Sequence, residues 1–347
     1  MTKCEKTQKL RSSNIFFSVL IPSRNRADQL DIAIMSILNQ TYDNYEIIVL
    51  NDGSNGIQHK HYLFLEQKYV NRVKFIHLDC VSAPHGKSRG LNTGISLATG
   101  DYICFLDDDD YWIYADHLKI VNEAIICSGY HTDVFLSNQE QADPIGQIPR
   151  DNWLACLNDI VACSANKVLP NIYNVSYSLL MQQKEFCHMN TIIAKKSLIT
   201  DINGLDNYLW YEEDHDFYLR LIDKAKYILF SKTYTSHCNV PDSTSTENLS
   251  TRATRIEKLL IKYAIFNKRY VLSERSDVRS YSLRGKIQTI KSIAIEMHKA
   301  QKIREAVHFA SETLCIGFSI KWFGYLTWLL LIALKNKAVN LSSNKSE

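Results

Sequence analysis

GDYICFLDDDDYW, Gly100 to Trp112, is the stretch from which the fold can be read. Tyr102 to Leu106 is an apolar run long enough for one buried strand. It runs directly into Asp107, Asp108, Asp109 and Asp110, and the aromatic residues Tyr111 and Trp112 follow at once. Four negative charges at the end of a buried strand repel one another and resist desolvation. A divalent cation relieves both problems, and hard cations such as magnesium or manganese favour oxygen ligands. The competing reading is a solvated acidic loop, since charge runs usually face water. The apolar flanks on both sides weigh against it.

Working outward, apolar runs and helical periodicity alternate. Strands are predicted at Ile15 to Ile21, Tyr45 to Leu50, Arg72 to Leu78, Tyr102 to Leu106, His131 to Leu136, Asn190 to Ala194 and Tyr227 to Phe230. Helices are predicted at Asp28 to Asn39, His59 to Tyr69, Lys87 to Ala98, Ala115 to Ile126 and Tyr211 to Ile222. The alternation implies an α/β domain over 15–240 with a mainly parallel central sheet flanked by helices. In such sheets ligands bind beyond the carboxyl ends of the strands. Ser23 to Arg26, Asp52 and Asp107 to Asp110 all fall there, so three loops converge on one rim. Gln139 to Tyr177, with prolines at 144 and 149, reads as an insertion of loops and one helix around Trp153 to Val161, without a clear strand.

The 347 residues are 46% hydrophobic and 22% charged, an ordinary globular balance. A net charge of +3 makes no electrostatic case for nucleic acid. The nine cysteines are scattered with no Cys-x-x-Cys pair, and read as buried free thiols in a reducing compartment. Met1 to Asn14 lacks the apolar core of a signal peptide, which places the bulk of the protein in the cytoplasm. There is no Gly-x-Gly-x-x-Gly after the first strand, no Walker-type loop, no Gly-x-Ser-x-Gly and no His-Glu-x-x-His. Phosphate chemistry must therefore rest on a metal and a few side chains.

A second acidic cluster, Glu212, Glu213, Asp214 and Asp216, opens a helix. Acidic residues favour the first turn of a helix, and Asp216 and Arg220 are spaced to pair, so a structural reading has force. The functional reading is a carboxylate of ordinary pKa, ionised at neutral pH, that takes a proton from a hydroxyl.

The segments FSVLIPSRNR (17–26), SILNQTY (36–42), YEIIVLNDGS (45–54), GKSRGLNTGI (86–95), FLDDDDYW (105–112) and EDHDFYLRL (213–221) occur in one order. In that order and content the chain resembles the family 2 inverting glycosyltransferases of the GT-A fold. The resemblance implies that Pro22, Ser23, Arg24 and Asp52 hold the nucleoside, with Asp52 on the uracil and Asn25 bracing the loop. Arg89 and Asn92 fall where the family contacts the donor and its diphosphate, although Leu91 stands where many members carry an arginine. Asp107 to Asp109 resembles the family's Asp-x-Asp. Asp109, with Asp107 and His237, would ligate a divalent cation, Mn2+ or Mg2+, and Asp107 and Asp108 would reach the sugar-nucleotide. Asp110 is expected to cap a helix rather than bind metal. Asp214 matches the catalytic base, Glu213 its acceptor-binding neighbour, and His188 would face the acceptor.

The activity so implied is transfer of a hexose (galactose, glucose or N-acetylglucosamine) from a UDP-sugar donor to a hydroxyl of a glycan acceptor. Such members often act on polyprenyl-diphosphate-linked glycans in bacterial O-antigen, capsule or lipopolysaccharide synthesis. Residues 241–347 read as a helical C-terminal region beginning after a polar linker at Ser243 to Glu247. In it, Trp322 to Leu334 carries no charge and lies between Lys321 and the lysines at 335 and 337. About 20 apolar residues are needed to span a bilayer; these thirteen are too few, and Cys315 to Leu334 reaches that length only by including Lys321, so 315–334 reads as an in-plane anchor on the inner membrane's cytoplasmic face. Packing of that helix on the protein is the alternative. Two other activities compete: a sugar-nucleotide pyrophosphorylase, which would want a glycine-rich loop with arginine and lysine where Pro22 to Arg26 stands, and a non-catalytic nucleotide-sugar-binding module.

Overall fold

The computed structural model describes residues 14–79, 86–142, 154–164, 166–239 and 253–343. The polar N-terminus to Ser13, Cys4, Cys80, Pro144, Pro149, Trp153 and the linker at 243–247 lie outside the described residues. Two compact units are present, Met1–Ser245 and Thr246–Glu347.

In the first unit, β1 (Phe17–Ser23), β2 (Tyr45–Asn51), β3 (Val73–His77) and β4 (Tyr102–Phe105) pair in parallel in the order β3-β2-β1-β4. Phe17, Val19, Leu20 and Ile21 are all fully buried, as expected for a strand covered on both faces. Helices α1 (Ala27–Leu38), α2 (Gly56–Lys68), α3 (Lys87–Leu97) and α4 (His117–Cys127) complete the crossovers, and α5 (Leu157–Ser164), α6 (Tyr177–Met181), α7 (Lys196–Asp201) and α8 (Glu213–Lys224) follow. Leu30, Ala33, Ile34 and Ile37 form the buried stripe of α1 and join Phe17, Val19 and Ile21 in the core.

Beyond β4 the sheet becomes mixed. β9 (Ile192–Lys195) runs antiparallel to both β4 and β6 (Val134–Ala142), and β10 (Ile228–Asn239) then pairs in parallel with β6. The sheet ends in a β7 (Asn166–Leu169)–β8 (Ile172–Val175) hairpin that lies antiparallel against β10. This is a GT-A-type sheet, mostly parallel at its centre.

Three local expectations change. The insertion contains a hairpin turning on Pro170 and Asn171, whose φ is 61°; its strands of four residues each are too short to stand out as apolar runs. β10 continues to Asn239 through polar residues, with Thr235 and Ser236 fully buried. Asp110 caps no helix. Tyr111–Trp112 forms a short strand (β5) antiparallel to β10, and α4 begins only at His117. Of the described cysteines, Cys104 and Cys187 are buried, but Cys156, Cys163 and Cys315 are exposed, so burial is not general.

Among its described residues the second unit forms four helices: α9 (Arg255–Leu272), α10 (Ser276–Lys299), α11 (Ile303–Ile316) and α12 (Ile320–Ser343). Thr254 and Glu257 form a capping box at the start of α9. Segment 315–334 is not one helix, because α11 stops at Ile316 and α12 starts at Ile320. Leu329 is buried with Ala294, Ala306 and Ala310, and Trp322 Nε1 donates to the Ala310 carbonyl at 3.1 Å. No helix among the described residues is long and apolar enough to cross a membrane.

Gly100 closes the loop into β4. A Cβ there would lie 2.6 Å from Ser18 N and 2.8 Å from Phe16 O, both backbone atoms. Gly100→Ala is expected to lower unfolding free energy by about 1–3 kcal/mol, the usual cost of overpacking, as measured by denaturant melting; an unchanged midpoint would show that the strand ends have room to part.

Candidate active site

β1, β2 and β4 end on the same rim, as parallel pairing requires, and each supplies polar groups there. Asp52 N–H donates to the Ser23 carbonyl at 2.9 Å, and Gly86 N–H donates to Asp52 Oδ2 at 3.3 Å. Asn25, at φ 55°, ties the β1 and β2 loops together. Its N–H donates to Ser54 Oγ at 2.9 Å, and Asn55 N–H donates to its Oδ1 at 3.2 Å. Ser23 is buried and donates to Asp108 Oδ2 at 2.6 Å, with Tyr62 OH 2.5 Å from the same hydroxyl. Pro22 and Arg24 are half-buried beside it.

The acidic tip is internally balanced. Arg26 Nη1 lies 3.2 Å from Asp108 Oδ1 and 2.6 Å from Asp109 Oδ2. Lys87, the first residue of α3, places Nζ 2.7 Å from Asp107 Oδ1 and 3.9 Å from Glu213 Oε1. One ammonium therefore joins the strand tip to α8 (Glu213–Lys224), more than a hundred positions downstream. Asp214 is the second residue of α8, and its Oδ1 accepts the His215 N–H at 2.8 Å. The two acidic clusters share one side of the sheet.

Some sequence-predicted residues sit differently. Asn92 does not present its amide to a donor: Nδ2 donates to Leu205 O at 2.9 Å and Asn207 Oδ1 at 2.8 Å, while Oδ1 accepts Leu205 N–H at 2.8 Å. It clamps the loop that leads into α8. Arg89 is exposed on α3. His237 faces away from the acidic tip, stacked on Tyr111 at 4.9 Å with Nδ1 3.7 Å from Glu140. Successive residues of a strand face opposite sides, so Cys238, not His237, meets the tip. Among the described residues, the histidine nearest Asp107 is His188, whose Nε2 is 3.9 Å from Oδ2. Asp216 and Arg220 do form the predicted pair, Nε to Oδ2 at 2.7 Å, and Arg220 also donates to Ile202 O at 2.8 Å.

Residues 18–127 match the family model described as "Glycosyl transferase family 2". An uncharacterized glycosyltransferase of Haemophilus influenzae is 28% identical over 318 residues, 84% of this chain and 89% of that protein. The amylovoran biosynthesis glycosyltransferase AmsB of Erwinia amylovora is 34% identical over 99 residues, covering 28% of this chain and 32% of AmsB. Among solved structures, S. aureus TarS 1-349 in complex with UDP-GlcNAc superposes with a TM-score of 0.63 at 15% identity, covering 87% of this chain and 81% of that one. The family match over 18–127, these relatives and the shared fold together support a family 2 glycosyltransferase.

The carboxyl groups of the site are tuned by burial and by their two cations, Arg26 and Lys87. Burial pushes Asp108 up to about 7, against the pull of Arg26 and with further push from Asp109. Burial and then Asp107 raise Asp109. Asp107 also suffers burial, but Lys87 and His188 outweigh it and its pKa falls. Burial, then Glu213, carries Asp214 to about 8, with Lys87 opposing. The expectation of an ordinary carboxylate at 214 is thus revised: Asp214 titrates near working pH, the range suited to proton transfer.

Sequence reading passed over Lys87, Tyr62 and Asn190 as individual residues. Asn190 Oδ1 accepts the Asp107 N–H at 2.9 Å. Their partners lie far along the chain, so no local pattern marks them. Lys87→Met removes the charge that opposes the rise of Asp214, so the carboxyl pKa should climb above 8. The expected readout is an alkaline displacement of the pH–rate profile, alongside a large loss of turnover. A profile that stays in place would uncouple Lys87 from Asp214.

Proposed function

We propose that this protein is an inverting, divalent-cation-dependent hexosyltransferase. It moves galactose, glucose or N-acetylglucosamine from a UDP-sugar to a hydroxyl of a polyprenyl-diphosphate-linked glycan in O-antigen, capsule or lipopolysaccharide synthesis. The observation that carries this reading is the Lys87 bridge between Asp107 and Glu213, which puts a nucleotide-side carboxylate and the neighbour of a proton acceptor in one cluster. TarS, crystallised with UDP-GlcNAc, supports a UDP-sugar donor, and AmsB, named for amylovoran biosynthesis, supports a polysaccharide setting.

Pro22, Ser23, Arg24 and Asp52 take the nucleoside, and Arg89 reaches the donor from the exposed side of α3. Asp108 is braced by Ser23 and Arg26 toward the sugar-nucleotide. Asp107 and Asp109 fit a hard cation: both offer only oxygen, and their side chains retain 19% and 29% of their exposure. His237 is withdrawn from that ligand set. A divalent cation held there would offset the charge that develops on the departing diphosphate. Asp214 accepts the proton of the acceptor hydroxyl as its oxygen attacks the anomeric carbon, and Glu213 orients the acceptor. Attack opposite the leaving group inverts the centre, so an α-linked donor gives a β-linkage.

The C-terminal unit supplies the site of action. Phe323, Leu331 and Leu334 of α12 are 53%, 62% and 64% exposed, with Phe318 and Ile320 before them at 73% and 80%. Exposed Lys321 and Lys335 bracket the α12 residues of this surface. Apolar residues between lysines suit the anionic cytoplasmic face of the inner membrane.

Asp214→Asn should reduce kcat by about 10²–10⁴-fold while UDP binding, read by calorimetry, stays nearly intact; full activity would remove Asp214 from the mechanism. Because only the ionised form is a base, kcat/KM should rise with pH, roughly tenfold per unit below 8, and level above it. EDTA should halt transfer and Mn2+ or Mg2+ restore it, whereas undiminished turnover in chelator would refute the cation. Replacing Phe323, Leu331 and Leu334 by serine should release the protein from anionic vesicles in a sedimentation assay without loss of helicity; retained binding would leave the anchor without support.

A further inference from the structure

Beside the all-oxygen rim lies a group of side chains with different donor chemistry. Asp110 follows β4, His188 precedes the 3-10 turn Met189–Thr191, and Cys238 is near the end of β10. Their ligand atoms lie within 4.8 Å of one another. Three separated pieces of chain thus deliver a carboxylate, an imidazole and a thiol to one point. The sheet explains the thiol: β10 and β5 pair with His237 opposite Tyr111, so one step further along the same antiparallel register sets Cys238 across from Asp110.

The groups are held in place by neighbours. Asn190 Nδ2 donates to Asp110 Oδ2 at 2.5 Å, and Asn239 N–H donates to Asp110 Oδ1 at 2.8 Å. Asn190 N–H approaches His188 Nδ1 at 3.4 Å, while Nε2 lies 3.9 Å from Asp107 Oδ2. Amide donors on a ligating carboxylate and a carboxylate beyond an imidazole are how proteins orient metal ligands.

We propose that Asp110, His188 and Cys238 form a binding site for a thiophilic divalent cation, Zn2+ foremost, with ligands separate from the Asp107 and Asp109 pair. Zinc takes carboxylate, imidazole and thiolate together, whereas Mg2+ and Mn2+ prefer oxygen throughout. Ionised carboxylate and thiolate supply two negative charges against the cation's two positive ones. Zinc bonds of about 2.0–2.3 Å at tetrahedral angles put ligand atoms roughly 3.5 Å apart, so binding draws these three together by about an ångström. That is within reach of side-chain adjustment. The site goes beyond the hexosyltransferase reading and does not depend on it.

Co2+ is the probe, because cobalt bound to thiolate absorbs in the near ultraviolet. Full-length protein stripped by chelator and titrated with Co2+ should develop that band. Zn2+ should bleach it and excess Mg2+ should not. Cys238→Ser should abolish the band in a variant whose circular dichroism is native, whereas Cys127→Ser should keep it. His188→Ala should weaken cobalt affinity at least tenfold, and it decides the matter alone should Cys238→Ser fail to fold. No band in the parent protein, a band surviving in folded Cys238→Ser, bleaching by Mg2+, or unchanged affinity in His188→Ala would each overturn the site.

Discussion

Crowding of carboxyl groups at the carboxyl end of β4 is the constraint around which the first unit is arranged. Asp107, Asp108, Asp109 and Asp110 leave a buried strand together, and α8 brings Glu213 and Asp214 to the same side. A buried charge without a partner costs several kcal/mol, so the arrangement stands only with compensation built in. Arg26 supplies it for Asp108 and Asp109. Lys87 supplies it for Asp107 and, at longer range, for Glu213. Asp110 is served by amide groups of Asn190 and Asn239. The remaining imbalance appears as raised carboxyl pKa values, greatest where neither cation is in direct contact.

The topology explains why the compensation is available. Parallel pairing of β2, β1 and β4 puts their loops on one rim, and α3 and α1 start from that rim, so Lys87 and Arg26 begin where the charge is. Close packing holds α3 there: a Cβ on Gly94 would come within 2.6 Å of Leu50 and 3.2 Å of Leu20. Asn92, one face further along α3, grips residues 205–207 and so fixes the approach of α8. The antiparallel strand β9 then delivers Asn190 at its start to the backbone of Asp107. Fold and charge balance are thus one arrangement rather than a scaffold with a site added.

Much of the frame was legible beforehand. The parallel strands could be read because strands covered on both faces must be continuously apolar, and α1 because its buried stripe repeats at helical spacing. The β7–β8 hairpin could not, because strands of four residues are too short to carry a period, nor could the far half of β10, whose residues are largely polar and owe their pairing to neighbours. Asp110 reads as a cap in the sequence, since a carboxylate after a strand looks the same whether it meets a helix or an asparagine amide from elsewhere. His237 and Cys238 differ by one position, and only the pleat decides which of them faces the acid.

From its sequence alone, then, the chain determined its class of fold, the rim where chemistry gathers and the two acidic clusters that meet there. These are properties of local pattern: hydrophobic period, turn residues and runs of like charge. Tertiary structure decided which cation answers which carboxylate, that Asn92 clamps a loop, that His188 and not His237 approaches Asp107, and that Asp214 titrates near neutrality. Those outcomes depend on distances and burial created by residues tens to more than a hundred positions apart. A contact of that span leaves no periodicity in the chain, because its energy arises only when the sheet is assembled.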